Sequence, residues 1–192
     1  MRQANLQTAT PVEIYLQPGE FHFGGGNARI HTLLGSCVAI TLWHPILHVG
    51  GMCHFLLPSR DGRPSSGLDG RYADEAMQLF MREIGKCNTR PVEYQTKLFG
   101  GGNMFPCLTR KKATEVGVHN VEAARLLLLA NDLRIQREDV GGNGHRRIIF
   151  DLRDGNVWVQ HEKTVCRSGA LGANAVSNSA KGCAPATILK IG

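Results

Sequence analysis

No stretch of this sequence is apolar for long enough to cross a bilayer, which takes roughly 20 residues. The longest apolar runs lie near Leu126 to Ala130 and from Val38 to Trp43. Met1 to Pro11 is polar and has neither a cationic start leading into an apolar stretch nor a small-residue cleavage site, so it does not read as a leader. The chain is expected to work in the cytoplasm, without direct membrane insertion. C-x-x-C pairs are also missing, although there are six cysteines, at 37, 53, 87, 107, 166 and 183. Scattered thiols without a secretion signal read as free and reduced, and structural zinc is not expected.

Aromatic residues are scarce, at 6%, and none interleaves with the basic residues. The formal charge of +6 is spread thinly, with clusters only at Arg110-Lys111-Lys112 and Arg146-Arg147. That pattern points to a solvated basic surface first and an acidic protein partner second, with no nucleic acid. No Lys-Ser or Lys-Thr pair follows Gly24-Gly25-Gly26 or Gly100-Gly101-Gly102 at P-loop spacing, so nucleotide binding is not expected. His44 and His48 are spaced like helical metal ligands, but Pro45 opposes a helix there and no third ligand is evident. Neither a metal nor another cofactor is called for.

What is present is an ordinary globular balance: 192 residues, 42% apolar and 20% charged. A chain of that length can bury roughly 70% of its unfolded surface in one domain. Short or alternating apolar segments bounded by glycine and proline predict strands over Ala28 to Leu34, Val38 to Trp43, Val49 to Leu57, Val92 to Phe99, Arg147 to Leu152 and Val157 to Glu162. Asp154-Gly155 marks a hairpin between the last two. Ala73, Ala76, Met77, Phe80 and Ile84 repeat at helical spacing within Tyr72 to Ile84, with Gly85 as the stop. A second helix is predicted from Asn120, as N-cap, to about Asn131. Ser59 to Gly70 has surface-loop chemistry. The Gly-, Ala- and Ser-rich stretch from Arg167 to Gly192 reads as a flexible tail, leaving one domain over residues 1–166.

Two segments carry chemistry. In Leu34-Gly35-Ser36-Cys37-Val38, a tight turn delivers a cysteine at the start of an apolar run, where backbone N–H groups can lower its pKa and hold an oxyanion. Taken alone this is weak, because cysteine usually just packs. In Gly50-Gly51-Met52-Cys53-His54-Phe55, alternation forbids Cys53 and His54 from facing the same site. His54 is the better candidate of the two; taken alone it reads first as a core histidine held by a backbone carbonyl, and only together with Cys37 does it offer a nucleophile and base pair. His54 is then expected to favour the Cys37 thiolate over an unperturbed thiol of pKa about 8.5.

The L-G-S-C-V-A segment, followed 17 residues later by His54 in a G-M-x-H-F-x-L-P context, resembles the CheD chemoreceptor glutamine deamidases. The resemblance continues colinearly through Arg71-Tyr72-Ala73-Asp74, Lys97 to Phe105, Val116-Gly117 with Asn120 to Ala124, Asp139 to Asn143 and Arg146 to Phe150. It covers residues 14 to 162. It implies an α/β (α+β) fold, a layered α/β/β/α sandwich with mixed sheets, similar to that of bacterial deamidating toxins. It further implies that Cys37 attacks a receptor glutamine with His54 as base. Methyl-accepting chemotaxis receptors would be the substrates, through their cytoplasmic coiled coil. A CheC-type phosphatase would be a second partner, and a binding adaptor for it is the competing reading.

By the same resemblance Gly35, Ser36, Gly101, Gly102, Asn103 and Asn143 line or support the site. A catalytic threonine in the family lies six residues before the cysteine. Here that position is His31, and Thr32 is one residue closer. With the turn shortened by one, Thr32 is expected to take the threonine's place, and a histidine within reach of the dyad, His31, is the alternative.

Overall fold

A computed structural model of the chain describes residues 10–60, 62, 67–106, 111–164 and 188–192, the side chains of 111–115 aside. Along the chain run β1 (Val12–Tyr15), β2 (Phe21–Gly25), β3 (Ala28–Leu34), β4 (Val38–His44), β5 (Val49–Phe55), α1 (Ala73–Lys86), β6 (Gln95–Gly100), α2 (Lys111–Ala130), β7 (Ile135–Val140), β8 (His145–Asp151), β9 (Val157–Glu162) and β10 (Ile188–Ile191). The strands form two sheets, in the orders β1-β3-β8-β9-β10 and β2-β5-β4-β6-β7. Each is mixed: β1 is parallel to β3 and β7 to β6, and the remaining pairs are antiparallel.

Alternation decides which side chains meet. On β3, Ala28, Ile30, Thr32 and Leu34 point inward while Arg29, His31 and Leu33 are more exposed. β4 is buried on both faces, as a central strand must be. Its Val38, Ile40 and Leu42 meet the helices, together with Cys53 and Phe55 of β5. Its Ala39 and Trp43, with Met52 and Phe99, meet Ile30, Leu34, Ile148, Phe150, Val157 and Val159 of the facing sheet. The fold is thus an α+β sandwich of two mixed sheets, as expected. Both helices lie on one sheet, so the layers run helix, sheet, sheet. The second helical layer of an α/β/β/α order does not occur among the described residues.

Several boundaries differ from the sequence reading. α1 runs through Gly85 and ends on Cys87, with Asn88 in the left-handed conformation (φ 51°) that terminates a helix. α2 begins at Lys111, which puts Asn120 in mid-helix instead of at its N-cap. Helical geometry persists through Gly117, where α2 crosses the backbone of Gly101 so closely that a Cβ at 117 would lie 2.6 Å from the Gly101 carbonyl oxygen. Of the stretch expected to be a flexible tail, residues 167–187 lie outside the described residues. Ile188–Ile191 instead pairs with β9, and Ile191 packs on the inter-sheet core.

Candidate active site

Cys37 sits at the end of the Gly35-Ser36 turn between β3 and β4, partly buried against the inter-sheet cluster. His54 pairs with Ala39 of β4. Two residues from Met52, it turns its ring to the same inter-sheet side, while Cys53 points at the helices. Thr32 enters that space from the facing sheet, and its hydroxyl lies 2.8 Å from His54 Nδ1. His31 points the other way, where its ring stacks on Tyr15 and Nε2 pairs with Glu13.

The hydrogen bonds assign the tautomer of His54. The Thr32 hydroxyl donates to the Leu16 carbonyl at 2.9 Å. A hydroxyl has one proton, so toward His54 it can only accept. His54 therefore carries its proton on Nδ1, leaving Nε2 as a bare acceptor. Nε2 is buried and has no hydrogen-bond partner among the described residues. A buried polar atom without a partner is costly, by about 1–3 kcal/mol, and points to a function in binding or proton transfer. The Cys37 thiol shares this face of the sheet, and in this structure no hydrogen bond joins it to His54.

Burial sets the charge state. It pushes His54 down to about 4, against the opposing pull of the Leu16 carbonyl and the Glu20 charge. Burial likewise raises the Cys37 thiol, only partly offset by its own backbone N–H. The resting pair is therefore neutral thiol and neutral imidazole. This corrects the expectation of a thiolate favoured by His54: the imidazole is too strongly desolvated to hold the compensating charge. Cys53, fully buried under the helices, is pushed up to about 12. Cys87 is a third free thiol, and Cys107, Cys166 and Cys183 lie outside the described residues.

The glycine-rich segment braces the Gly35-Ser36-Cys37 turn through backbone bonds. The Gly102 N–H donates to the Gly35 carbonyl and the Gly101 N–H to the Cys37 carbonyl, both at 2.8 Å. Such closeness needs glycine at 100, where φ is 111° and a Cβ would lie 2.2 Å from the Cys37 oxygen. Asn103 continues the brace: its N–H donates to Gly142, its carbonyl accepts from Gly144, and it bridges to Asn143. Ser36 contributes its carbonyl, which accepts from the Asn120 side chain.

Sequence reasoning missed two residues here. Asn120 is fully buried, and its Nδ2 reaches both the Ser36 carbonyl (3.2 Å) and the Leu56 carbonyl (2.8 Å). The signal was available, because Asn120, Ala124 and Leu128 repeat at four-residue spacing on the buried face of α2. Arg146, read as part of a basic surface, is instead buried, donating to Asp139 at 2.8 Å and the Gly141 carbonyl at 2.7 Å. His44 and His48 bond nearby backbone, His44 Nδ1 accepting from Ile46 and Leu47 and His48 Nδ1 meeting the Arg153 carbonyl.

A cleft of about 370 Å³ opens onto His31, Thr32 and His54, rimmed by Tyr15, Pro18, Leu33 and Arg147, and Cys37 does not line it. A larger groove, about 700 Å³, lies between the end of α2 and Ile135 and touches none of these residues.

Residues 56–161 match the family model of CheD, described as chemotactic sensory transduction. Among curated proteins, the chain is 51% identical over 147 residues to one from Dechloromonas aromatica named "Probable chemoreceptor glutamine deamidase CheD 3", covering 77% of this chain and 86% of that one. The chain belongs to the CheD family. A CheD relative from Pseudomonas syringae pv. syringae, named "Probable chemoreceptor glutamine deamidase CheD", is 54% identical over 80% of this chain and 88% of its own. Another CheD, from Leptospira interrogans, is 43% identical over 81% of this chain and 96% of its own. A solved structure titled as Bacillus licheniformis hypothetical protein YfiH overlaps at a TM-score of 0.40 and 14% identity, over 62% of this chain and 49% of that one.

Proposed function

We propose that this protein is a chemoreceptor glutamine deamidase acting through Cys37, His54 and Thr32. The observation that carries the reading is the buried, unpartnered Nε2 of His54, set by the Thr32 bond on the face that Cys37 shares. The names of its relatives, near 50% identity over most of the chain, supply the substrate class.

His54 Nε2 takes the thiol proton as Cys37 Sγ attacks the glutamine carboxamide carbon, so no ion pair need exist beforehand. The C–N bond breaks as the imidazolium returns that proton to the leaving nitrogen, and ammonia departs from a glutamyl thioester. Water then loses a proton to Nε2, adds to the thioester, and glutamate leaves as Cys37 recovers its proton. Thr32 accepts from Nδ1–H throughout, keeping Nε2 on the reacting atoms. No metal or cofactor enters the scheme.

The substrate glutamines lie on the cytoplasmic coiled coil of membrane-bound receptors, so the protein is recruited from the cytoplasm to receptor arrays. Binding a CheC-type phosphatase would be a second role that leaves the dyad unused. Mass spectrometry of a receptor cytoplasmic fragment incubated with the protein tests the reading. Each deamidated site gains about 1 Da, whereas a binding adaptor changes no mass. Full-length, unshifted fragment in the presence of folded protein overturns it.

A further inference from the structure

The Asn120 carboxamide links the two strands that carry the dyad. Its Nδ2 donates to Ser36, the residue before Cys37, and to Leu56, two residues after His54. Both partners are carbonyl oxygens, so the amide orientation is fixed: only the NH2 end can face them. Asn120 sits on α2, on the helix side of its sheet, and its own Oδ1 is buried without a partner.

The Ser36 bond bears directly on the nucleophile. The Ser36–Cys37 peptide is trans, so its C=O and N–H point in opposite directions from one flat unit. Drawing the carbonyl toward α2 aims the Cys37 N–H away from α2, into the inter-sheet space where Cys37 packs and His54 turns its ring. That N–H makes no hydrogen bond to another residue among the described ones, whereas the carbonyls of Gly35, Ser36 and Cys37 are all held. A free, fixed N–H beside the attacking sulfur is what a tetrahedral oxyanion requires.

We infer that Asn120 is a positioning residue, which holds the Ser36–Cys37 peptide so that the Cys37 N–H is preset as an oxyanion donor for thioester formation and hydrolysis. The inference rests on the deamidase reading.

The test compares two reactions of Cys37. Deamidation builds an oxyanion, whereas alkylation by iodoacetamide displaces iodide at a saturated carbon and builds none. Asn120→Ala should lower kcat for deamidation of the receptor fragment by about 10- to 100-fold with KM within about twofold, below the full loss of an oxyanion donor. The iodoacetamide rate at Cys37 should stay within about twofold of wild type. Parallel loss of both rates overturns the inference, because Asn120 would then act on thiol and imidazole placement in general. A folded variant with unchanged kcat overturns it as well. If Asn120→Ala does not fold, Asn120→Ser keeps a hydroxyl in the same turn of α2, and the same pair of rates decides. A wild-type protein that alkylates normally yet never deamidates sinks the deamidase reading, and the inference that rests on it falls with it.

Discussion

Thr32 and His54 are joined by a 2.8 Å bond across the two sheets, and the Thr32 proton is committed to Leu16. One hydroxyl therefore decides which imidazole nitrogen carries the proton and which is left to accept one. Thr32→Val removes the acceptor and leaves the buried Nδ1–H to seek the Leu16 carbonyl by itself. We expect kcat for deamidation to fall about 10- to 100-fold, by loss of base orientation. His31→Ala should keep kcat within about threefold, since the His31 ring, although it lines the same cleft, is engaged by Tyr15 and Glu13. Rates for both variants at matched stability check this, and a large loss for His31→Ala alone would give that residue the role.

Removing the proposed nucleophile should separate activity from stability. Cys37→Ala deletes a partly buried thiol at a turn, where little packing is lost. We expect no detectable glutamate and a midpoint of unfolding close to wild type. His54→Ala should also lose turnover, and it opens a cavity between the sheets, so its stability should fall by about 1–3 kcal/mol. Substantial deamidation by folded Cys37→Ala would remove Cys37 from the mechanism.

The pH dependence follows from burial. His54 titrates near 4 in the folded protein, so its neutral, basic form persists well below the ordinary imidazole range. The acid limb of kcat/KM should fall below pH 5, and a limb centred near the ordinary imidazole value of 6.5 would contradict the buried, neutral resting state. Stability moves with the same group. The unfolded state binds the proton first, so the His54 contribution is whole above about pH 6.5 and is lost as pH falls toward 4. Cys37 should alkylate ahead of Cys53, with an apparent pKa above its ordinary value; Cys53, pushed up to about 12 and enclosed, should stay protected.

Much of the sandwich was legible because period 2 is strong where one face is buried. β3, β4, β5, β8 and β9 fall within two residues or so of their predicted bounds. Of the missed strands β1, β2, β7 and β10, β2 carries a short Phe21-His22-Phe23 alternation that went unread, whereas β1 and β7 lack that signal. β7, Ile-Gln-Arg-Glu-Asp-Val, has no buried position, and β1 is almost wholly exposed at the sheet edge; their pairing comes from the chain's path. The facing of Thr32 and His54 was readable from alternation. The acceptor for the Thr32 proton was not, because Leu16 enters through its carbonyl, which no side-chain pattern records. Nor was the charge state of the dyad, which depends on how completely the opposite sheet covers it.

Gly117 offers a test with a reversed sign. Glycine in a helix interior ordinarily weakens it, and replacement by alanine stabilises by about 0.4–1 kcal/mol. Here the added Cβ would stand 2.6 Å from the Gly101 oxygen and 2.8 Å from its carbonyl carbon, neither of which belongs to a flexible side chain. Something in the backbone must give. The segment that gives is the one whose Gly101 and Gly102 N–H groups hold the Cys37 and Gly35 carbonyls. Gly117→Ala should therefore destabilise by about 1–3 kcal/mol and lower kcat while the variant remains folded. Denaturant unfolding together with deamidation rates measures both. A more stable, fully active Gly117→Ala would mean that α2 and the glycine-rich segment do not pack this closely, and would weaken the account of how the nucleophile turn is braced.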